Sequence, residues 1–172
     1  NLAQLALNMT DSGEIPLLGI GSSVGVPNAP WNVYILSIPY VFTSSPVVAT
    51  GFIGLLNVLA VLVTYMIARR YTNIYVASMV ALLFAVNPWA VIFARKIWAQ
   101  NMLPLFVVLT VGLGLVGFIH GKRWGQWTHL PLLAITGQIH YGAFVMIPVT
   151  VYLLFVGHKK FTRAFWFSLV IT

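Results

Sequence analysis

An uninterrupted apolar run covers residues 47–67 and closes on Arg69 and Arg70. Its length matches the roughly 20 residues that a helix needs to cross the hydrocarbon core of a bilayer. Residues 73–93 form a second run, in which Asn87 and Pro88 predict a kink or an end near the far interface, because proline removes a helix hydrogen bond. Residues 102–119 form a third, ended by His120, Lys122 and Arg123. A tight pair of shorter runs follows at 124–139 and 141–156, closed by His158, Lys159, Lys160 and Arg163, and a further run begins at Ala164. None of these segments alternates as a closed barrel would, so the spans are predicted to be helices. The pattern gives about five spans and the start of a sixth.

The first 45 residues read differently. Leu2, Leu5, Ala6 and Met9 recur at helical spacing over residues 1–9, too short to span and suited to lying at the interface. Residues 10–30 are a polar loop rich in glycine and proline. Residues 31–42 are apolar but carry Pro39 and the aromatics Trp31, Tyr34, Tyr40 and Phe42, which predicts a second interfacial helix. The expected fold is all-α: residues 1–45 form an exoplasmic loop with interfacial helices, and residues 46–172 form a polytopic transmembrane bundle. The chain opens within helical periodicity and closes within an apolar run, and no signal peptide is visible; both features predict a fragment of a larger chain, with any targeting helix upstream.

Composition agrees: 60% of residues are apolar and 6% charged, against roughly 25% charged in soluble domains. Nine Lys and Arg face two acids. Nucleic acid is not the expected partner, because the cations sit in pairs at the ends of apolar runs, as membrane topology requires. The chain has no cysteine, so the redox compartment is not readable. Counting crossings places Arg69–Arg70, Lys122–Arg123 and Lys159, Lys160 and Arg163 on one side, the cytoplasmic one by the positive-inside rule. The 10–30 loop, the Arg95–Lys96 turn and the turn from Gln138 to His140 then share the exoplasmic side.

Arg95 and Lys96 run against that rule. One account is snorkelling at a helix end. The favoured account is an anion at the membrane surface, such as the phosphate of a lipid carrier, which a guanidinium fork and an ammonium suit. Trp98, Gln100 and Asn101 lie beside them, groups of the kind that bind sugars. Asp11 and Glu14 are the only carboxylates. They read as a helix stop and turn more than as an acid–base catalyst. The Gly19 to Gly25 stretch lacks the Gly-Lys-Ser/Thr ending of a phosphate loop. Gln138 and His140 sit at the exoplasmic end of a short span, where a lone His is more often interfacial than a ligand. The four His residues have no metal-ligand spacing, so no metal site is expected. Asn8-Met9-Thr10 fits a glycosylation sequon, and Gly112, Gly114 and Gly117 suit close helix packing.

In their order, these features resemble the GT-C class of membrane glycosyltransferases, specifically glycosyltransferase family 39, which includes the protein O-mannosyltransferases and the bacterial lipid A aminoarabinose transferase. The matching stretches are NLAQLALNMTDSGEIPLLG, VPNAPWNVYILSIPY, LLNVLAVLVTYMIARRY and LLFAVNPWAVIFARKIWAQNMLPLF. They contain Ser12-Gly13-Glu14, Asn28-Ala29-Pro30-Trp31, Tyr65 to Arg70, and Pro88-Trp89 to Ala94-Arg95, and cover roughly the first two-thirds of the chain. The resemblance implies a multi-pass enzyme of a bacterial-type plasma membrane that moves a sugar from a polyprenyl phosphate to an acceptor lipid, glycan or protein on the exoplasmic face, without cofactor or metal. Arg95, helped by Lys96, would hold the donor phosphate. Asn28, Pro30, Trp31, Gln100, Asn101, Gln138 and His140 are the substrate-pocket candidates. The family's catalytic Asp would lie upstream of Asn1, and Asp11 and Glu14 do not match it, so the segment alone is expected to be inactive. The alternative is a non-catalytic subunit of a larger membrane complex. A transporter is weakened by the lack of an acid or ionisable pair within the spans.

Overall fold

Helix is the regular structure of this chain. The computed structural model describes residues 1–21 and 25–172; Ser22, Ser23 and Val24, within the expected 10–30 loop and the Gly19 to Gly25 stretch, lie outside the described residues. Among the described residues there are nine α-helices and, apart from one isolated bridge between Gly21 and Pro27, no β pairing.

The first helix, α1 (Leu2–Ser12), starts where the Asn1 side chain accepts from the Gln4 N–H at 2.9 Å. It runs beyond the expected residues 1–9, through Asp11 and Ser12, because the stop is Gly13. Gly13 takes φ 72° and returns its N–H to the Met9 carbonyl, the left-handed cap that glycine adopts without a Cβ clash. Helix α2 (Trp31–Tyr40) packs against α1, and Leu2, Ala6, Val33 and Leu36 are buried between them and the bundle.

The longest helix, α3 (Pro46–Tyr71), has 26 residues, with proline in its first turn, where no N–H is needed. Asn73 caps α4 (Ile74–Val86). Asn87 then ends α4 and caps α5 (Pro88–Phe93), its side-chain oxygen accepting from Trp89 and Ala90 N–H at 2.9 and 3.2 Å. The expected kink at Asn87–Pro88 is therefore a break between two helices. A 3₁₀ turn, Ala99–Met102, leads into α6 (Leu103–Gly114), which continues through a π-turn at Leu115–Ile119. Helix α7 (Arg123–Ile139) follows with Pro131 inside it. Helix α8 (Met146–Gly157) lies between the 3₁₀ turns Tyr141–Val145 and His158–Lys160, and α9 (Arg163–Ile171) closes the structure.

Three helical stretches are long and apolar enough to cross a membrane: Pro46–Tyr71, Ala99–Ile119 and Tyr141–Lys160. The other two expected spans are shorter, α4 having 13 residues and α7 having 17. Side-chain contacts fix the relative directions. Asn57 of α3 reaches Asn101 before α6, and Arg70 at the far end of α3 reaches His120 after it, so α3 and α6 are parallel. The intervening α4–α5 segment returns along the bundle. Helix α7 runs against α6, since Gln126 bonds the Gly117 carbonyl and Thr136 meets Thr110.

One apolar core gathers around α1, α2, α3 and α6 and a smaller one around Phe118, Leu153 and Phe165, with further buried polar side chains between α6, α7 and α8. His129, fully buried, has Nδ1 at 2.9 Å from the Thr110 carbonyl and Nε2 at 3.1 Å from the Thr150 hydroxyl. A carbonyl only accepts, so Nδ1 carries the proton. Gln126 donates to the Gly117 and Lys160 carbonyls and accepts from the Thr162 N–H and hydroxyl. Each pair of bonds removes the penalty that a buried polar group would otherwise carry. Outside, the helices present large apolar side chains such as Leu62, Leu83, Tyr152 and Phe155, a surface suited to lipid and not to water.

The two ends of the bundle differ in charge. Seven of the nine cations (Arg69, Arg70, Lys122, Arg123, Lys159, Lys160 and Arg163) gather at the end where α3, α6 and α8 finish. There the Lys160 ammonium donates to the Ile119 carbonyl. The opposite end carries α1, α2, the Arg95–Lys96 turn and the Ile139–Val145 connection. The six tryptophans divide evenly, Trp31, Trp89 and Trp98 at that end and Trp124, Trp127 and Trp166 at the basic one, as paired interfacial belts would.

Candidate functional site

Helix α5 is short because Pro88 starts it and the chain turns at Ala94, and this turn presents Arg95 and Lys96. Backbone bonds from Arg95 N–H to Ile92 and from Lys96 N–H to Phe93 tighten the turn, and both side chains are exposed. The turn is tied down from below. Asn101, buried, donates from Nδ2 to the Lys96 carbonyl at 2.9 Å, and Asn57 of α3 donates to the Asn101 carbonyl at 2.9 Å. An amide inside an apolar helix thus reaches the cationic turn through one intermediary.

Two cavities flank α5. One, of about 400 Å³, lies between α3 and the α4–α5 segment, has the apolar walls Val58, Val61, Leu62 and Phe84, and has Arg95 on its lining. The other, of about 330 Å³, is lined by Trp89, Phe93, Trp98, Gln100 and Asn101. Asn57, Phe84 and Ala90 line both. Trp89, Phe93 and Trp98 form a ladder of near-parallel rings, with centroids 5.5 and 6.2 Å apart. The Lys96 ammonium lies 5.3 Å from the Phe93 centroid, within cation–π range. Trp89 and Trp98 are 69% and 49% exposed, so both rings keep surface open beyond their stacking on Phe93.

The remaining sequence candidates gather elsewhere at the same end. Asn28 is buried, its Nδ2 donating to the Ile20 carbonyl. Pro30 starts α2, and Trp31 meets Tyr34 edge-on. Gln138 is exposed on a separate cavity of about 260 Å³ with Ala29 and Tyr141. His140 accepts the Gly142 N–H on Nδ1 and caps the turn before α8. Tyr141 donates to the Pro27 carbonyl at 2.6 Å and so joins that turn to the loop. Among the described residues, none of these candidates lines the cavity of about 400 Å³ that holds Arg95; Gln100 and Asn101 line the adjacent one with its aromatic neighbours.

Three contributors lie outside the sequence candidates: Asn57, and the ladder partners Trp89 and Phe93. The signals are an amide within an apolar run and aromatics four residues apart on one helix face. In α2, Asn32 donates to the Ile139 carbonyl, while its own side-chain oxygen and that of Asn28 are buried without a hydrogen-bond partner. Gly19 lies against Asn32, where a Cβ would come within 2.6 Å of that oxygen. Asp11 and Glu14 are exposed and line none of the cavities described. Among the described residues, no three His, Asp or Glu side chains come together as a metal site would require. Compared with protein families, curated proteins and solved structures, the chain matches none.

Proposed function

We propose that the chain is the N-terminal part of a multi-pass membrane glycosyltransferase that moves a sugar from a polyprenyl phosphate to an acceptor on the exoplasmic face. The observation that carries the reading is Arg95 on the lining of an apolar cavity, beside a second cavity walled by aromatics and amides. A lipid-linked sugar has three chemically distinct parts, and each has a counterpart here. The isoprenoid chain suits the Val58, Val61 and Leu62 wall. The phosphate suits Arg95 and Lys96. The sugar suits the Trp89–Phe93–Trp98 ladder, whose ring faces take the C–H face of a pyranose while Gln100 meets its hydroxyls.

In this reading the acceptor oxygen attacks the anomeric carbon and the bond from that carbon to the phosphate oxygen breaks. The departing phosphate gains a negative charge, which Arg95 and Lys96 stabilise more in the transition state than in the bound donor. The acceptor proton passes to a carboxylate, which the family resemblance puts upstream of Asn1. The active face is exoplasmic because the seven-cation end is cytoplasmic. In full-length protein, Arg95→Ala is expected to lower transfer from a polyprenyl-phosphate sugar about 100-fold or more, in line with loss of one transition-state charge partner. Unchanged transfer would refute the phosphate role. The second reading, a non-catalytic subunit, is favoured by the exposure of Asp11 and Glu14 away from the cavities. It predicts no transfer by the purified full-length protein with any polyprenyl-phosphate sugar.

A further inference from the structure

At the basic end, a groove of about 400 Å³ lies between side chains of α3 and α6. Its walls are apolar, Val63, Met66, Ile67, Leu109, Gly112 and Val116 among them, and Arg70, Tyr71 and Trp124 also line it. Arg70 and Tyr71 are the last residues of α3 apart from its cap, and Trp124 begins α7, so the polar lining lies at one end of the groove. We propose that this groove binds an anionic glycerophospholipid, one acyl chain lying along the α3–α6 walls and the phosphate resting on Arg70.

Arg70 is held for this role. Its Nε lies 3.5 Å from His120 Nε2, and the Tyr71 hydroxyl lies 2.8 Å from the same nitrogen, with the Tyr71 and His120 rings stacked. This orients the guanidinium and leaves its two terminal nitrogens for phosphate oxygens, the fork geometry that favours arginine over lysine. The chain's only carboxylates, Asp11 and Glu14, belong to the other end of the bundle, so the charge on Arg70 has no internal counter-ion. Trp124 and Tyr71, 58% and 44% exposed, are amphipathic rings of the kind enriched at headgroup depth.

The same facts choose among occupants. A free anion would use the cationic rim and gain nothing from the apolar walls. A helix seated in the groove would bury Arg70 and would have to bring its own carboxylate to neutralise it, since the described residues supply none there and an unpaired charge is penalised in the hydrocarbon region. A lipid with a neutral headgroup would fill the walls and leave Arg70 without a net negative partner. An anionic lipid satisfies both parts of the lining. Gly112 keeps the groove open: a Cβ there would come within 2.9 Å of Ile67 Cδ1, and a larger side chain would occupy the space of the acyl chain.

Native mass spectrometry of the full-length protein in detergent, titrated with phosphatidylglycerol or with phosphatidylcholine of identical chains, tests this. The expected result is retention of one phosphatidylglycerol where phosphatidylcholine is lost. Arg70→Gln should weaken it by about fivefold, the loss of one interfacial cation. Arg69→Gln is the control, because Arg69 is turned to the Thr72 carbonyl at 3.3 Å, and it should bind as the unmodified protein does. Gly112→Leu should remove the preference by filling the groove; if that variant does not fold, the Arg70 and Arg69 pair still decides. Equal retention of the two lipids overturns the proposal. So does an equal effect of Arg69→Gln and Arg70→Gln, which would mean diffuse attraction to a basic surface, or displacement of the lipid by inorganic phosphate, which would mean an anion site without a lipid groove.

Discussion

Asn57 shows how one residue in an apolar helix governs a site some distance along the chain. Its Nδ2 divides between the Ile53 carbonyl of its own helix and the Asn101 carbonyl, both at 2.9 Å. Asn101 in turn holds the Lys96 carbonyl. Asn57→Leu removes the donor while keeping the volume close, and leaves a partly buried carbonyl short of a bond. The expected loss is about 1–2 kcal/mol, read as a lower thermal midpoint of the purified full-length protein. An unchanged midpoint would mean that the turn is held by its own backbone bonds. Arg95 and Lys96 stood out in the sequence because they break the expected topology count, and the structure shows them exposed at one turn. Asn57 did not, since a lone amide in an apolar run has many partners open to it until the helices are placed. Asn101 and His140 were legible as polar groups at one end, but not as the backbone anchors they are, because capping depends on turn geometry that residue type leaves open.

At the scale of elements, glycine pairs decide how closely the helices approach. Gly117 of the π-turn and Gly125 of α7 face each other. A Cβ on Gly125 would come within 2.6 Å of the Gly117 nitrogen, and one on Gly117 within 2.7 Å of Gly125 and Gln126 backbone atoms. Backbone cannot swing aside as a side-chain end can. Gly125→Ala is therefore expected to destabilise the protein by about 1–3 kcal/mol, the range for overpacking a tight contact. Gly51→Ala is the contrast: nothing lies within 4 Å of its added Cβ, in the second turn of α3, so it should stabilise by about 0.5–1 kcal/mol through helix propensity. Thermal midpoints of the two variants, measured side by side, separate close packing from propensity; equal shifts would sink the packing argument. The small-residue spacing in residues 102–119 announced close packing, and the contacts of Gly114 and Gly117 agree, while Gly112 meets only the Ile67 side chain at the groove. Their partners were not readable, because Ile67, Leu153, His129 and Gly125 come from segments whose facing sides no helical periodicity marked. The extension of α1 to Ser12 escaped for a related reason: a polar Asp-Ser pair resembles a turn, and only the left-handed Gly13 locates the stop.

For the whole molecule, the decisive question is whether the short helices cross. Helix α4 alone covers about 20 Å at 1.5 Å per residue, and α4 with α5 about 30 Å, close to a full hydrocarbon core. Because α3 and α6 are parallel, judged by the Asn57–Asn101 and Arg70–His120 contacts, the segment between them must bring the chain back. Helix α7, about 25 Å long by the same rise, does so between the parallel α6 and α8. The apolar runs made this up-and-down order legible, since cations at every second run end have few other arrangements. The break at Asn87 was readable only as a kink or an end, because the amide that caps α5 is the same residue that ends α4. The absence of cysteine makes the crossing count directly measurable. Single replacements Glu14→Cys, Gln100→Cys, Lys122→Cys and Lys159→Cys, treated with a membrane-impermeant maleimide in intact cells, should divide into two classes. Glu14→Cys and Gln100→Cys should label from outside, and Lys122→Cys and Lys159→Cys only after permeabilisation. Gln100→Cys carries the most weight. If α4 and α5 turned back within the membrane, residue 100 would share the side of Arg69 and Arg70, and Lys122→Cys would move outside with the reversed α6. Protection of Gln100→Cys in intact cells would therefore remove both the crossing and the exoplasmic placement of Arg95 on which the transferase reading depends.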